Sequence, residues 1–425
     1  MEQLLTTKFH IPHTRPELVS RPRLIERLNQ GTRLGCKLTL ISAPAGFGKT
    51  TLVSEWLDNL RLDTKKENQS KSRIAWLSLD ESDNDPARFL AYSITALHQI
   101  EGIDATFGKG ALSMLQSPQP PQTETVLTSL INEITAIPDR ILLVLDDYHL
   151  IEAQPIHDAL TYLLEHLPPQ MHLVIATRED PYLPLARLRA RDQLTELRAN
   201  DLRFTPSEAT EFFKGLDLSE EDLSALETRT EGWIAGLQLA GLSMQGFDRG
   251  SDLSNFVKRF TGSDRYIQDY LTDEVLRQRP KGTGDFLLQT SVLNRMNGPL
   301  CDTVRFELTE KVTELTDSQV ILESLDTANL FIVPLDNERH WYRYHYLFAD
   351  LLRQRLRQTQ PEQMPILHRR ASEWYEQKGF IDEAIEHALQ AEEFERAANM
   401  IEERVDALWQ RGEHIKLRLW LDGLP

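Results

Sequence analysis

The sequence of 425 residues predicts an α/β fold for its first half and helical domains for most of the rest. Up to residue 204, short apolar, β-branched segments alternate with longer helical segments, as in a parallel sheet that carries helices on both faces. Beyond that point the strand signal fades, and helical spacing dominates apart from one short β pair. The predicted strands are Lys37–Ser42, Arg73–Leu79, Arg140–Asp146, His172–Thr177 and Leu194–Leu197.

The first predicted strand runs into the segment Ala-Pro-Ala-Gly-Phe-Gly-Lys-Thr-Thr, residues 43–51. A strand, a glycine-containing loop and a helix start in this order predict a P-loop, whose backbone N–H groups surround nucleotide phosphates. Lys49 would place its charge at the β- and γ-phosphates, and the Thr50 hydroxyl can bind Mg²⁺. Ala43 stands where the usual pattern begins with glycine. The residues expected to hold the nucleotide here are Ala45, Gly46, Phe47, Gly48, Lys49, Thr50 and Thr51.

The third predicted strand ends in two adjacent acids, Asp146 and Asp147. Its continuous apolar run is typical of a strand that is buried on both faces of a parallel sheet. In P-loop NTPases the first acid at this strand end holds Mg²⁺, which assigns the ion to Asp146 together with Thr50. Asp147 is then placed to orient or deprotonate the attacking water. The two motifs together predict a site for a nucleoside triphosphate or diphosphate with Mg²⁺.

Further candidates follow the second and fourth strands, because ligands bind at the carboxyl ends of strands in open α/β sheets. Arg178 could sense a γ-phosphate there, or it could be a surface arginine. Asp80 lies where some P-loop kinases keep the base that accepts a substrate proton, whereas Asp85 is better explained as a helix N-cap. His345 lies among aromatic residues, and from its surroundings alone a packed histidine is the better interpretation.

Composition restricts the class of protein. The net charge of −18 argues against a segment that wraps nucleic acid on its own. No segment approaches the roughly 20 apolar residues of a membrane span, and the N-terminus lacks the apolar core of a signal peptide. Cys36 and Cys301 are far apart and match no metal-ligand spacing. We therefore expect a cytoplasmic protein without membrane contact.

The second half begins with a capping-box pattern, Thr205-Pro206-Ser207-Glu208, ahead of a long helical region. Two short β segments, Leu330–Pro334 and Trp341–Tyr344, flank an Asp-Asn-Glu-Arg turn and predict the wing of a winged helix. From residue 363 the paired-helix spacing resembles the start of a helical repeat array. The predicted domains are nucleotide-binding (1–204), helical (205–280), winged-helix (281–358) and a helical arm (359–425).

Four motifs occur in one order that is specific as a set. They are Trp76–Asp80, Leu145–His149 and Tyr344–Phe348, preceded by the P-loop segment Ala43–Thr51. Together they resemble the MalT-type regulators, large ATP-dependent transcriptional activators of the LuxR family. These belong to the STAND class of signal-transduction ATPases, which have an AAA+-like P-loop domain. The resemblance implies the four domains above, with a sensor and a helix-turn-helix domain expected beyond residue 425.

The resemblance also implies roles for individual residues. It makes Arg178 the sensor arginine of the fourth strand, and it places His345 at the β-phosphate of bound ADP. Arg23 matches the N-terminal element that frames the adenine, although Pro22 stands where a glycine usually precedes that arginine. Gln238 stands where the helical-domain motif of related switches has proline, which weakens the expected contact on the adenine side.

The function implied by the resemblance is an ATP/ADP switch with slow ATP hydrolysis. ADP would hold a closed monomer, and ATP with Mg²⁺ would favour opening and self-association. Asp147, Lys49 and Arg178 would carry out hydrolysis, while inducer and DNA would be bound by regions outside this chain. Two alternatives stay open at this point: a small-molecule kinase with Asp80 as base, and a non-hydrolysing scaffold that binds ADP through Lys49.

Overall fold

Five parallel strands form the sheet of the first half of the chain, in the order β2-β3-β4-β1-β5. The computed structural model describes residues 4–14, 18–63, 72–117, 119, 121–216, 218–245, 251–276, 281–306, 318–411 and 414–425. The strands are β1 (Leu38–Ser42), β2 (Ser72–Ser78), β3 (Arg140–Asp146), β4 (Met171–Thr177) and β5 (Leu194–Arg198). All five predicted strands are confirmed, each with its ends within one residue of the prediction.

The central strands are mainly apolar because helices cover both faces of the sheet. His172 is the buried ionisable residue of β4, and burial lowers its pKa to about 4, so the ring is neutral at pH 7. Its Nδ1 donates to the Cys36 carbonyl at 2.6 Å, and its Nε2 accepts from the Thr39 hydroxyl at 2.8 Å. The helices of this half are α1 (Pro22–Arg33), α2 (Lys49–Asp63), α3 (Pro86–His98), α4 (Lys109–Leu115), α5 (Thr123–Thr135), α6 (Gln154–Glu165) and α7 (Leu185–Ala190).

The predicted capping box starts the helical region as expected. The Glu208 amide donates to the Thr205 hydroxyl at 3.3 Å, and the Thr205 amide donates to the Glu208 carboxylate at 2.9 Å. The helices up to the wing are α8 (Ala199–Leu202), α9 (Pro206–Phe212), α10 (Glu220–Thr230), α11 (Ile234–Met244), α12 (Ser251–Arg259), α13 (Arg265–Leu271), α14 (Lys281–Thr290), α15 (Gly298–Arg305) and α16 (Ser318–Thr327). A π-helical stretch, Thr272–Leu276, follows α13.

The predicted wing hairpin is present, but its connection is longer than the four-residue turn that the sequence predicted. Strands β6 (Ile332–Pro334) and β7 (Tyr342–Tyr344) pair in antiparallel fashion. The Asp336 carboxylate accepts from the backbone amides of His340 at 3.0 Å and Trp341 at 2.9 Å. These two side-chain bonds close the loop, where a tight turn would be closed by a backbone hydrogen bond. The loop can therefore be longer than four residues.

Five helices end the chain, and their packing agrees with the predicted paired-helix spacing. They are α17 (Tyr346–Thr359), α18 (Gln363–Gln377), α19 (Ile381–Gln390), α20 (Phe394–Arg411) and α21 (His414–Asp422). Buried alanines at one-turn spacing, such as Ala384 and Ala388, let neighbouring helices approach closely. Among the helices of the described ranges, none combines the length and the apolarity that a membrane span requires.

The chain divides into two compact units that interrupt each other in sequence. The first unit comprises Met1–Glu227 and Gly232–Gln238, and the second comprises Thr228–Glu231 and Leu239–Pro425. Helices α10 and α11 therefore contribute residues to both units. The four-domain division that the sequence suggests stays a prediction, and residues 277–280, at its second boundary, fall outside the described residues.

Candidate functional site

The loop between β1 and α2 has the backbone conformation that a P-loop requires. Gly46 and Gly48 have φ angles of 77° and 73°, in the left-handed region that favours glycine. A Cβ atom at Gly48 would also lie 3.1 Å from Cδ1 of Ile234. Because α2 begins at Lys49, the amides that follow Gly48 stand at a helix N-terminus, where anions are stabilised.

The Lys49 side chain lies along this loop and is 8% exposed. Its Nζ atom donates to the carbonyl oxygens of Ala43 at 2.8 Å and Pro44 at 3.0 Å. These contacts hold the ammonium group against the carbonyls at the start of the loop. The role of Lys49 as a phosphate contact stays a prediction.

Thr50 and Asp146 meet at the carboxyl edge of the sheet, as the two motifs predicted. The Thr50 hydroxyl lies 3.1 Å and 3.0 Å from the two carboxylate oxygens of Asp146. Burial, followed by the neighbouring charge of Asp147, raises the pKa of Asp146 to about 7. A hydroxyl and a buried carboxylate are hard oxygen donors of the kind that Mg²⁺ prefers, so this pair fits the predicted metal.

Asp147 occupies a sparsely populated backbone conformation, with φ 56° and ψ 36°. Such a conformation costs a non-glycine residue about 1 kcal/mol or more and is common at functional sites. The side chain is 46% exposed, and one of its carboxylate oxygens lies 4.0 Å from Nδ1 of His149. Asp147 is therefore accessible from solvent directly beside the buried Asp146.

The strand register brings Arg178 to the carboxyl edge of the sheet, where Thr50 and Asp146 also lie. Ser42 of β1 pairs with Thr177 of β4, and the Ala43 amide donates to the Thr177 carbonyl at 3.3 Å. Arg178 is therefore next to the point where the P-loop leaves the sheet. Its predicted contact with a γ-phosphate is consistent with this position.

The two acids after β2 are used in local structure. The Asp80 carboxylate accepts from the Ser82 amide at 2.9 Å and lies 2.8 Å from Nζ of Lys8. Asp85 accepts from the Arg88 amide at 2.8 Å at the start of α3, which confirms its predicted N-cap role. The geometry therefore gives no support to Asp80 as the base of a kinase.

Comparison with known sequence families identifies two parts of the chain. Residues 37–214 match the family described as the NACHT domain, and residues 272–364 match the MalT winged helix domain. The P-loop and the acid pair lie in the first match, and the wing hairpin lies in the second. The chain therefore contains one region that matches the NACHT domain and one that matches the MalT winged helix domain, the combination expected of a MalT-type STAND protein.

Relatives that match almost the whole of this chain are named as different kinds of protein. The transcriptional regulator MalT of Klebsiella pneumoniae is 34% identical over 99% of this chain and 44% of its own length. The serine/threonine-protein kinase PknK of Mycobacterium tuberculosis is 32% identical over 99% of this chain and 36% of its own length. The chain thus spans less than half of either relative. The Walker-type ATPase of Pyrococcus abyssi has the same fold, with a TM-score of 0.50 and 16% identity over 80% of this chain and 98% of its own.

Arg23 bonds to the segment that follows β5. Its guanidinium forms two bonds with the Glu208 carboxylate, at 3.0 Å and 3.1 Å. It also donates to the carbonyls of Asp201 at 2.8 Å and Arg203 at 2.9 Å. Through these contacts, the Arg23 side chain links α1 to the segment around α8 and α9. Its predicted adenine contact has no support in this geometry.

Arg21, two residues earlier, reaches the P-loop instead. It is 3% exposed and donates to the carbonyls of Gly48 at 3.3 Å and Leu202 at 3.1 Å. Its guanidinium lies 5.8 Å from the centre of the Phe204 ring. Burial lowers its pKa to about 10, so the side chain remains charged at pH 7. Sequence reasoning missed this cation at the loop.

The start of α11 holds the P-loop from outside, which sequence reasoning also missed. Trp233 is fully buried, and its Nε1 donates to the Ala45 carbonyl at 3.0 Å. The Ala235 amide donates to the Gly46 carbonyl at 3.0 Å. In a trans peptide the carbonyl and the next N–H point in opposite directions. Anchoring these two carbonyls therefore turns the amides of Gly46 and Phe47 away from α11.

His345 belongs to the second unit, where it is 2% exposed. Its Nε2 donates to the Thr230 carbonyl at 2.9 Å, which fixes the tautomer with a proton on Nε2. Next to it, Arg343 forms two bonds with the Glu231 carboxylate, at 2.8 Å and 2.9 Å. The Tyr346 amide donates to the same carboxylate at 3.1 Å. The winged-helix residues therefore hold residues 230–231 tightly, and the predicted contact of His345 with ADP stays a prediction.

Glu231 is the charged centre of this arrangement. Burial by itself raises its pKa, but the Arg343 bonds, His345 and the Tyr346 amide outweigh burial and lower the pKa to about 2, from 4.5 in a model peptide. The carboxylate is 5% exposed and the Arg343 side chain 21% exposed. Removing one partner of such a pair leaves a buried charge without compensation.

We expect Glu231→Gln to lower the free energy of unfolding by about 3 kcal/mol at pH 7. Because the folded-state pKa is depressed, the contribution of Glu231 is complete above pH 4.5 and is lost as the pH falls towards about 2. The difference in the free energy of unfolding between wild type and variant should therefore be about 1 kcal/mol smaller at pH 4 than at pH 6. Urea denaturation at the two pH values measures it. Asp269→Asn, in an exposed pair with Arg265, is the control and should change stability by less than about 0.5 kcal/mol. A pH-independent difference would contradict the assigned ion pair.

Proposed function

We propose that this chain is the ATP/ADP switch module of a larger signal-dependent regulator. The observation that carries the proposal is the meeting of Lys49, Thr50 and Asp146 at one sheet edge inside a NACHT domain. The MalT relatives are named as transcriptional regulators, so we infer that the whole protein controls transcription in the cytoplasm. Inducer and DNA are bound by regions outside this chain.

Each group at the edge has a distinct task with bound ATP. The loop amides and Lys49 bind the β- and γ-phosphates, and Arg178 contacts the γ-phosphate. Thr50 and Asp146 would hold Mg²⁺, which would supply positive charge to the phosphate oxygens. Asp147 orients the attacking water and accepts its proton. The result is slow ATP hydrolysis, and its rate sets how long the module stays in the ATP-bound state.

ADP and ATP favour different states of the module. In the ADP state, His345 contacts the β-phosphate and keeps the monomer closed. ATP adds the γ-phosphate contact of Arg178, and Mg²⁺ on Thr50 and Asp146 would add to it, which favours an open, self-associating form. A nucleotide shifts such an equilibrium only by its difference in affinity for the two states. Residues 230–235 support this scheme, since the same short segment bonds His345 through Thr230 and the P-loop through Trp233.

Asp147→Asn tests the hydrolytic step. We expect the rate of ATP hydrolysis to fall by about 100-fold or more, because a positioned base is lost. ATP affinity should stay within about threefold, because the phosphate contacts of the loop remain. Phosphate release and nucleotide titration measure the two quantities. Asp85→Asn removes a carboxylate charge in the same region but keeps an oxygen that can accept from the Arg88 amide, so it should leave the hydrolysis rate unchanged.

Other outcomes of the same experiment would overturn the proposal. Wild-type protein that releases ADP only in the presence of an added acceptor would be a kinase. Wild-type protein that binds ADP but shows no turnover would be a scaffold. Loss of ATP binding in Asp147→Asn would give Asp147 a structural role.

A further inference from the structure

A cavity of about 350 Å³ lies within the second unit, among α17, α18, α19 and the segment after α14. This volume is in the range of small-molecule sites. The cavity is separate from the P-loop, which belongs to the first unit, so the inference does not depend on the proposed function. Its charged and polar walls are formed by Asn294, Arg353, Arg357, His368, Glu386 and His387.

Two arginines of α17 share the cavity-facing side of that helix. Arg353 is held in place, because its Nε donates to the Ser291 carbonyl at 2.8 Å and its Nη2 to Oδ1 of Asn294 at 3.0 Å. Arg353 also lies 3.9 Å from the Asp350 carboxylate, whereas Arg357, one turn further along, forms no ion pair with any of the described residues. Like charges at this spacing repel each other. An anion in the cavity would relieve the repulsion and bind both guanidinium groups.

A buried pair of histidines forms another part of the wall. Nδ1 of His368 lies 2.9 Å from Nδ1 of His387, so one ring must donate and the other accept. Burial and then the charge of Arg353 lower the pKa of His368 to about 4. Burial and then His368 lower the pKa of His387 to about 3, so both rings are neutral at pH 7. Two neutral rings joined in this way are opposite tautomers. The pair therefore offers one N–H donor and one nitrogen acceptor at its Nε2 atoms.

The remaining walls restrict the ligand further. Val292, Met364 and Leu389 give the cavity an apolar side, and Glu386 adds one carboxylate acceptor near the histidines. A ligand must therefore combine a negative group for the arginines with hydrogen-bonding groups for the imidazoles and Glu386. We propose that this cavity binds a small hydroxylated organic anion, either a phosphate monoester or a hydroxycarboxylate, through Arg353 and Arg357. Such a ligand would tie α17, which follows the wing, to the arm helices α18 and α19.

Isothermal titration of the whole chain, saturated with ADP in buffer without Mg²⁺, tests the site with two probes. Glycerol 3-phosphate represents phosphate monoesters, and citrate represents hydroxycarboxylates. We expect at least one probe to bind with a Kd below about 1 mM, and the better probe identifies the class of the anionic group. Binding of neither probe would overturn the proposal.

Two arginine variants localise the binding. Arg357→Gln should lower the affinity for the probe by roughly tenfold or more, since it removes a charged hydrogen-bond donor. Its folding should be unaffected, because the side chain is exposed. Arg355→Gln, on the same helix but outside the cavity lining, should bind as wild type does. Equal binding by Arg357→Gln and wild type would overturn the assignment.

The P-loop variant Lys49→Ala separates this site from the nucleotide site. The probe that binds wild type should bind Lys49→Ala with the same affinity, even though that variant loses nucleotide. Loss of probe binding in Lys49→Ala would place the anion at the P-loop and overturn the inference. A hydrolysis defect without any change in probe binding would concern the proposed function alone.

Discussion

Lys49→Ala is expected to lower the affinity for ATP more than the affinity for ADP. A hydrogen bond to a charged group contributes about 1.5–3 kcal/mol. ADP loses one such contact, at the β-phosphate, which corresponds to about 10- to 150-fold weaker binding. ATP also loses the γ-phosphate contact, so its loss should exceed about 100-fold. The side chain already lies against the loop through the Ala43 and Pro44 carbonyls, so little movement is needed to reach the phosphates.

Titration of both nucleotides into wild type and variant measures the two losses. Lys37→Ala is the matched control, because Lys37 precedes the opposite end of the same strand. Its Nζ donates to the carbonyls of Leu164 at 2.7 Å and Glu165 at 3.1 Å. Nucleotide affinities of the control should equal those of wild type. Equal losses for ATP and ADP in Lys49→Ala would show that this lysine does not contact the γ-phosphate.

The parts of the site that the sequence predicted are those encoded by local pattern. The P-loop is contiguous, and its glycines, Lys49 and Thr50 follow from one short segment. Asp146 was found because β3 is apolar up to its last residue, and the sheet then brings it to Thr50 without further information. The strands were predicted almost to the residue for the same reason, since burial on both faces demands uninterrupted apolar runs.

The parts that the sequence did not predict depend on contacts between distant segments. Trp233 and Ala45 are 188 positions apart, and no local spacing marks a tryptophan as the anchor of a loop carbonyl. The two arginines around Pro22 illustrate the same limit of local pattern. Arg21 goes to the P-loop and Arg23 to Glu208, 185 positions away. The motif pointed to Arg23, and only the packing of the segment after β5 shows that Arg21 is the arginine that reaches the P-loop.

Replacement of Trp233 should affect both stability and nucleotide binding. Trp233→Ala empties a fully buried site and should lower the free energy of unfolding by about 3–5 kcal/mol. Trp233→Phe keeps most of the ring but removes the N–H that reaches the Ala45 carbonyl. Leaving that buried carbonyl without its donor costs about 1–3 kcal/mol. The phenylalanine variant therefore isolates the hydrogen bond from the packing.

The hydrogen bond matters for binding because it orients the loop before the phosphates arrive. With the Ala45 carbonyl anchored towards α11, the Gly46 amide points the opposite way, and the Ala235 bond does the same for Phe47. Trp233→Phe should therefore weaken ADP binding by about tenfold, since the loop must then be ordered at the expense of binding energy.

A second buried tryptophan offers the control. Trp56 is also fully buried, and its Nε1 donates to Oδ1 of Asn29 at 2.8 Å, between α2 and α1. Trp56→Phe loses the same kind of bond and should be destabilised by a similar amount, but its ADP affinity should equal that of wild type. If both variants bind ADP equally, the anchor at Ala45 stabilises the fold alone. If only Trp233→Phe binds more weakly, the start of α11 shapes the phosphate site, and movement of that helix would change nucleotide affinity directly.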